Sequence, residues 1–160
     1  MHAVSEAHQR RLAEDASADV RGIIAKATPY GAIFDDLLND PDPVVRGWCA
    51  GNPRIFLEQM EQLVSDRARA TRAMAASHGL RYPTDEQLIR LARDKSAGVR
   101  WSVIFRVDTP REALQILVDD TDEMNRLHAD LALNGIGVNS TSVIEAVRAE
   151  RAAAVYVPFE

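Results

Sequence analysis

"DPDPVVRGWCAGNP", residues 40–53, places Asp40 six positions ahead of Arg46. The same pair occurs five times: Asp15 with Arg21, Asp40 with Arg46, Asp66 with Arg72, Asp94 with Arg100, and Asp120 with Arg126. Successive aspartates are 25, 26, 28 and 26 residues apart. A leucine stands three positions before each of them: Leu12, Leu37, Leu63, Leu91 and Leu117. Three columns held in register over five units make an internal repeat, and a period of this length indicates stacked supersecondary units.

Each unit reads as a helix before the Asp and a shorter helix after it. Before the Asp, apolar residues such as Phe34, Leu37 and Leu38 fall on one buried helical stripe. TDEQ (84–87) and TPRE (109–112) supply N-cap boxes, and Thr28-Pro29 and Asn52-Pro53 give looser cap-then-Pro signals. After the Asp, Ser17, Asp42, Ser96 and Asp122 stand where they can cap the second helix. An apolar residue before the Arg (Val20, Val45, Val99) and the one three after it (Ile24, Cys49, Val103) share a face, while the third and fifth units depart with Thr71 and Asn125. The expected fold class is all-α. The repeated Asp and Arg fall at the turn between helices. There a carboxylate meets a backbone amide, or an Arg of its own or the next unit, in a structural ladder.

The phrases LLNDPDPVVRGWCAGNP and VDTPREALQILVDD resemble HEAT-like repeats, and more narrowly the leucine-rich-variant repeats of bacteria. The resemblance covers roughly residues 12–150. It implies a right-handed α-solenoid of about five two-helix repeats with terminal capping helices. On this reading residues 1–160 are a single domain, with a capping helix over 2–14, repeats over about 15–140, and a capping helix and tail over 141–160. It also implies binding to another macromolecule. The cysteine segment that some of these proteins carry for an iron-sulfur cluster has no counterpart, because Cys49 is the only cysteine.

Net charge is -5 over 160 residues, so bulk attraction to nucleic acid or anionic lipid is not expected. No apolar run reaches the length of a membrane span, and the start lacks a signal-peptide pattern. The expectation is a cytoplasmic protein without membrane contact.

Chemistry-bearing motifs are sparse. His2, His8, His78 and His128 form no local catalytic pattern, and there is no metalloprotease helix, phosphate loop or C-x-x-C. No catalytic residue, cofactor or metal site is expected. DDTDE (119–123) reads as ladder Asp, helix cap and first-turn acid rather than a cation loop. The Gly-rich LNGIGVNSTS (133–142) reads as a connection into a last helix. Cys49 reads as a buried thiol. Trp101 with Asp108 is the best base-processing pair on offer, and it ranks last.

The expected function is therefore a non-enzymatic protein-protein interaction module: an adaptor, an inhibitor or an immunity-type binder. The surface expected to carry it is the outward row of the helices before each Asp. Its candidates are Asp35, Asp36, Glu61, Gln62, Ile89, Arg90, Arg93 and Ile116. Ile89 and Ile116 stand out as apolar residues in a polar row. Trp101 joins the list because a large indole fits poorly in a column otherwise filled by Gly22, Gly47, Ala73 and Leu127. Trp48, one column further on, is expected to be packed. The alternative partner is nucleic acid. Residues 67–111 carry ten Lys and Arg against four Asp and Glu, flanked by acidic segments. Tyr156, Val157 and Phe159 are expected to pack over the last repeat, with a docking peptide or a dimer contact as the alternatives.

Overall fold

A computed structural model describes residues 5–78, 82–136, 149, 153 and 157–160. Among the described residues there are ten α-helices and no strand. They are α1 (Glu6–Ala13), α2 (Ala18–Ala27), α3 (Gly31–Leu38), α4 (Pro43–Trp48), α5 (Leu57–Val64), α6 (Arg69–Ser77), α7 (Asp85–Leu91), α8 (Ala97–Ile104), α9 (Arg111–Leu117) and α10 (Glu123–Leu133). A 3₁₀ turn, Cys49–Gly51, prolongs α4. The all-α expectation holds. The expected cap helix over 141–160 falls largely outside the described residues.

The expected difference in helix length is reversed in four of the five units. Helices before the ladder Asp have 7 or 8 residues, whereas α2, α6, α8 and α10 after it have 10, 9, 8 and 11; α4, with 6, is shorter than α3. The connectors explain this. Thr109 does not cap α9; its hydroxyl donates to the carbonyls of Val103 and Arg106. Asn52 Nδ2 donates to the carbonyls of Ala25 (2.9 Å) and Thr28 (3.0 Å). These polar side chains tie down extended X-Pro segments, so α3, α5 and α9 start late. The Thr84 box does form: Gln87 N donates to Thr84 Oγ1 (3.3 Å) and Thr84 N to Gln87 Oε1 (2.9 Å).

The ladder is built the same way at each step. Arg21, Arg46, Arg72 and Arg100 each grip the Asp of the following unit (Asp40, Asp66, Asp94, Asp120) with Nε and Nη2, at 2.6–3.0 Å. Nη1 of each donates to the carbonyl of its own unit's Asp. Each gripped carboxylate also accepts the amide two residues on, at 2.7–2.8 Å. One guanidinium thus joins two units, and one carboxylate orders the start of the next helix. Fork-to-fork pairing fixes orientation as well as distance. Arg126 keeps the bond to its own Asp120 carbonyl (2.7 Å) and is exposed.

The helices after the Asp pack side by side in the order α2, α4, α6, α8, α10. Small residues permit close approach. A Cβ on Gly22 would lie 2.5 Å from Trp48 Cδ1, and one on Gly47 would lie 2.5 Å from Met74 Sδ. The leucine column lines the core between the two sets of helices, with Leu37, Leu63, Leu91 and Leu117 buried beside Phe34, Met60 and Leu88. Burying each such side chain contributes about 1.5–3 kcal/mol. No helix among the described residues is long and apolar enough to cross a membrane.

The chain's last residues depart from expectation. Phe159 packs on Phe34 of α3, ring centroids 4.6 Å apart, rather than over the last unit. In the α2–α3 connector the Pro29 carbonyl accepts from Glu160 N, the Gly31 amide donates to the Glu160 main-chain oxygen, and Gly31 has no side chain, so an extended segment can lie against it. Val157 is exposed, and Tyr156 falls outside the described residues.

Candidate interaction surface

The helices before the Asp do present the expected polar row, and its members are engaged with one another. Gln59 Nε2 donates to Asp35 Oδ1 (3.0 Å), and Arg10 lies 3.5 Å from Asp36. Gln62 Nε2 donates to Asn39 Oδ1 (3.2 Å). Glu61 accepts from Arg90 Nη2 (2.7 and 2.8 Å), Gln87 Nε2 (2.9 Å) and Ser65 Oγ (3.0 Å). The Arg90 bonds, helped by Gln87 and Ser65, hold the Glu61 carboxyl at about 2 against the opposing effect of burial. Arg93 is exposed and bonds only the Ile89 carbonyl of its own helix (3.5 Å). Ile89 and Ile116, expected as solvent-facing apolar spots, are half-buried and packed against the core. The helices that carry them, α7 and α9, pack against each other.

Most of the large exposed apolar residues lie instead on the helices after the Asp, with Phe56 (37%) and Leu57 (42%) at the start of α5 among the exceptions. Ile23 (66% exposed), Val44 (42%), Trp101 (36%), Phe105 (42%), Met124 (51%) and Leu127 (50%) all belong to α2, α4, α8 and α10 or the residue closing α8. Counted from each ladder Arg, they stand two before, one after, two after or five after it. That spacing is a single face of an α-helix. Of the twenty residues at these positions in the five units, Asp19 and Lys26 alone carry a formal charge, and both are on α2. The result is a nearly charge-free face shared by five packed helices.

Two features shape this face. Trp48 lies across Gly22, and Lys26 Nζ stands 5.3 Å from the indole centroid. A groove of about 650 Å³ opens there, lined by Ile23, Lys26, Trp48 and Pro53 among others. At the other end Trp101, Phe105 and His128 form a cluster, with centroids 4.4 Å (Trp101–Phe105), 4.9 Å (Trp101–His128) and 5.0 Å (Phe105–His128) apart. Trp101, singled out in the sequence as too large for its column, is 36% exposed and packs on Phe105 and His128. Trp48 was expected to be packed and is half-buried. Ile23, Val44, Phe105, Met124 and Leu127 were not singled out in the sequence. The signal was the same Arg-anchored spacing that isolates Trp101, read over all five units.

Four of the ten basic residues in the middle segment are committed to the fold. Arg72 and Arg100 belong to the ladder, Arg90 to Glu61, and Arg106 is buried 3.0 Å from Asp108. Arg106 also donates to the carbonyls of Ala76 (3.1 Å) and His78 (3.3 Å). Burial works against the Arg106 charge, and Asp108 supports it. Arg67, Arg69, Arg93, Lys95 and Arg111 are exposed at the ends of different helices and in turns. Asp108 is 5% exposed and faces Arg106, unlike a carboxylate at the base of an open cleft.

The remaining motifs have local roles. Asp120 grips Arg100 and accepts from Asn125, and Asp122 Oδ1 caps α10 at Asn125 N (3.1 Å). No group of three or more metal-ligating side chains gathers among the described residues. Gly135, at φ +71°, ends α10: its amide reaches the Ala132 carbonyl, and the Ile136 amide reaches Leu131. That is a Schellman closure, which needs the left-handed conformation glycine allows. Residues 137–142 of that loop lie outside the described residues. Cys49 is fully buried, and burial pushes its thiol well above the ordinary range.

No family model, curated protein or solved structure matches the chain.

Proposed function

We propose that the chain is a non-enzymatic protein-interaction module, an α-solenoid of HEAT-like units whose binding surface is the face made by α2, α4, α6, α8 and α10. The Asp–Arg steps and the side-by-side packing of these helices support the solenoid reading. The function rests on one observation, the nearly charge-free face carrying Ile23, Val44, Trp101, Phe105, Met124 and Leu127 in the open. Contiguous exposed apolar surface mainly marks contact with another macromolecule, and half-exposed tryptophan is a frequent anchor. A face nearly without cations suits a protein partner better than a phosphate backbone. The cytoplasm remains the proposed location.

The test is capture from lysate with nuclease present, comparing the wild-type chain with Leu127→Glu on the apolar face and Arg93→Glu on the polar row. Nuclease-resistant capture of one protein, lost with Leu127→Glu and kept with Arg93→Glu, is the expected result. Loss with Arg93→Glu alone would return the binding surface to the polar row. Capture abolished by nuclease would overturn the reading in favour of nucleic acid.

A further inference from the structure

Among the described residues, 158–160 are bound to a surface far from them in sequence. Glu160 N donates to the Pro29 carbonyl (2.6 Å), and Gly31 N donates to the Glu160 main-chain oxygen (3.1 Å). Arg54 Nε donates to the Pro158 carbonyl (3.2 Å), across 104 positions of sequence. Phe159 is the only one of residues 157–160 that is not exposed. Its ring lies on Phe34, tilted by 36°, and Phe34 is fully buried. The chain passes closely enough that a Cβ on Gly31 would lie 3.2 Å from Phe159 Cβ.

These contacts form a recognition scheme. Three bonds go to the main chain, so they accept any extended segment. One ring lies on the Phe34 ring, which favours an aromatic residue there. That is how strand-like peptide addition works: main-chain bonds give affinity and a side-chain pocket gives specificity. Pro29, Gly31, Phe34 and Arg54 belong to α3 and to the connectors before α3 and α5. Asn52 fixes the Arg54 amide through Oδ1 (3.0 Å) while bonding the carbonyls of Ala25 and Thr28. A single aromatic anchor with three hydrogen bonds is a weak contact, and tethering in the same chain is what keeps it filled.

We infer that the corner formed by Pro29, Gly31, Phe34 and Arg54 is a docking site for an extended, aromatic-bearing peptide segment of a partner protein, and that residues 158–160 occupy it as an internal ligand. The partner's segment carries an aromatic residue one position before the residue that bonds Pro29 and Gly31. It displaces the chain's own segment when it binds. The site uses other residues than the apolar face and stands whether or not that face binds a protein.

The experiment uses the full chain with Phe159→Ala and a fluorescein-labelled peptide spanning residues 156–160, read by anisotropy. The Phe159→Ala chain is expected to bind the peptide at least tenfold more tightly than the wild-type chain, whose own segment competes. A peptide with alanine in place of its phenylalanine is expected not to bind. Equal binding to both chains, binding independent of the phenylalanine, or no binding would overturn the assignment. Should Phe159→Ala lose the native fold, the wild-type chain is titrated with unlabelled peptide while the Glu160 amide resonance is followed. Movement toward its random-coil position supports displacement, and none at saturating peptide overturns it. Dimers of the wild-type chain that grow with concentration and vanish in Phe159→Ala would assign the site to a second copy and overturn the partner assignment.

Discussion

The Trp48 indole occupies the space a side chain at Gly22 would need, since a Cβ there would lie 2.5 Å from Trp48 Cδ1. The same step at the other end of the stack sets His128 against Trp101, edge to face at 4.9 Å. Large and small residues have changed places between the two columns. The helices can therefore pack throughout, and an indole is displayed at both ends.

Gly22→Ala is expected to destabilise the protein by about 1 kcal/mol. Alanine improves helix propensity by about 1 kcal/mol, but overpacking against a ring costs about 1–3 kcal/mol. The obstructing atom is in the body of the indole rather than at a flexible tip, so the clash wins. Gly98→Ala is the control: its Cβ would meet only Ser96 Oγ at 3.8 Å, and a gain of a few tenths to about 1 kcal/mol is expected. Urea midpoints of both variants check the opposite signs.

Arg72→Ala is expected to cost about 3–5 kcal/mol, because it leaves Asp94 buried without its partner. The two side chains are 7% and 9% exposed. Arg90→Ala removes an equally short bond to Glu61, but both groups are about half exposed, and the expected loss is below about 1 kcal/mol. Chemical denaturation of the two variants separates a buried step of the ladder from a surface pair of similar length.

Acid is expected to unfold the protein through the ladder carboxylates. Burial works against the charge of Asp40, Asp66, Asp94 and Asp120, yet the guanidinium and amide bonds outweigh it and lower all four. Asp120 is held at about 2. A carboxylate lowered on folding stabilises the native state above its unfolded value near 4, and this contribution fades as pH falls through the folded value. Melting temperature should therefore be level with respect to these groups above about pH 5 and fall steeply between about pH 4 and 2. Asp120→Asn should start lower and fall less steeply, which thermal melts across that range would show.

Trp101→Ala is expected to weaken capture of the partner by about 2 kcal/mol or more, as for a central aromatic anchor. Its stability should change much less than that of Phe34→Ala, for which about 3–5 kcal/mol is expected, since Trp101 is 36% exposed and Phe34 is fully buried. Affinity and melting temperature measured on the same two variants distinguish a binding residue from a core residue.

Cys49 is expected to resist thiol reagents in the folded protein and to react as fast as a free thiol in denaturant. Its sulfur is buried beside the Val45 carbonyl, and burial raises its pKa. Labelling with a chromogenic disulfide at neutral pH checks this.

The Leu, Asp and Arg columns were legible because a repeat places the same demand on the same position five times. Each leucine must fill the core, and each Asp–Arg pair must satisfy the turn between helices. The Thr84 box and the Asp42 and Asp122 caps were legible because a cap bonds within three residues of itself. Thr109 was misread as a cap because the bonds it makes, to Val103 and Arg106, compete with the one it would make to its own helix.

What the sequence by itself determined is the all-helical class and the ladder, since both follow from contacts at fixed spacing within or between units. Only the tertiary structure decided which set of helices presents apolar residues to solvent. Helical periodicity assigns a face but not its neighbour, and both sets carry an apolar stripe. The sequence likewise could not place Phe159 on Phe34. That contact joins residues 125 positions apart, and a phenylalanine carries no local mark of the distant pocket it will fill.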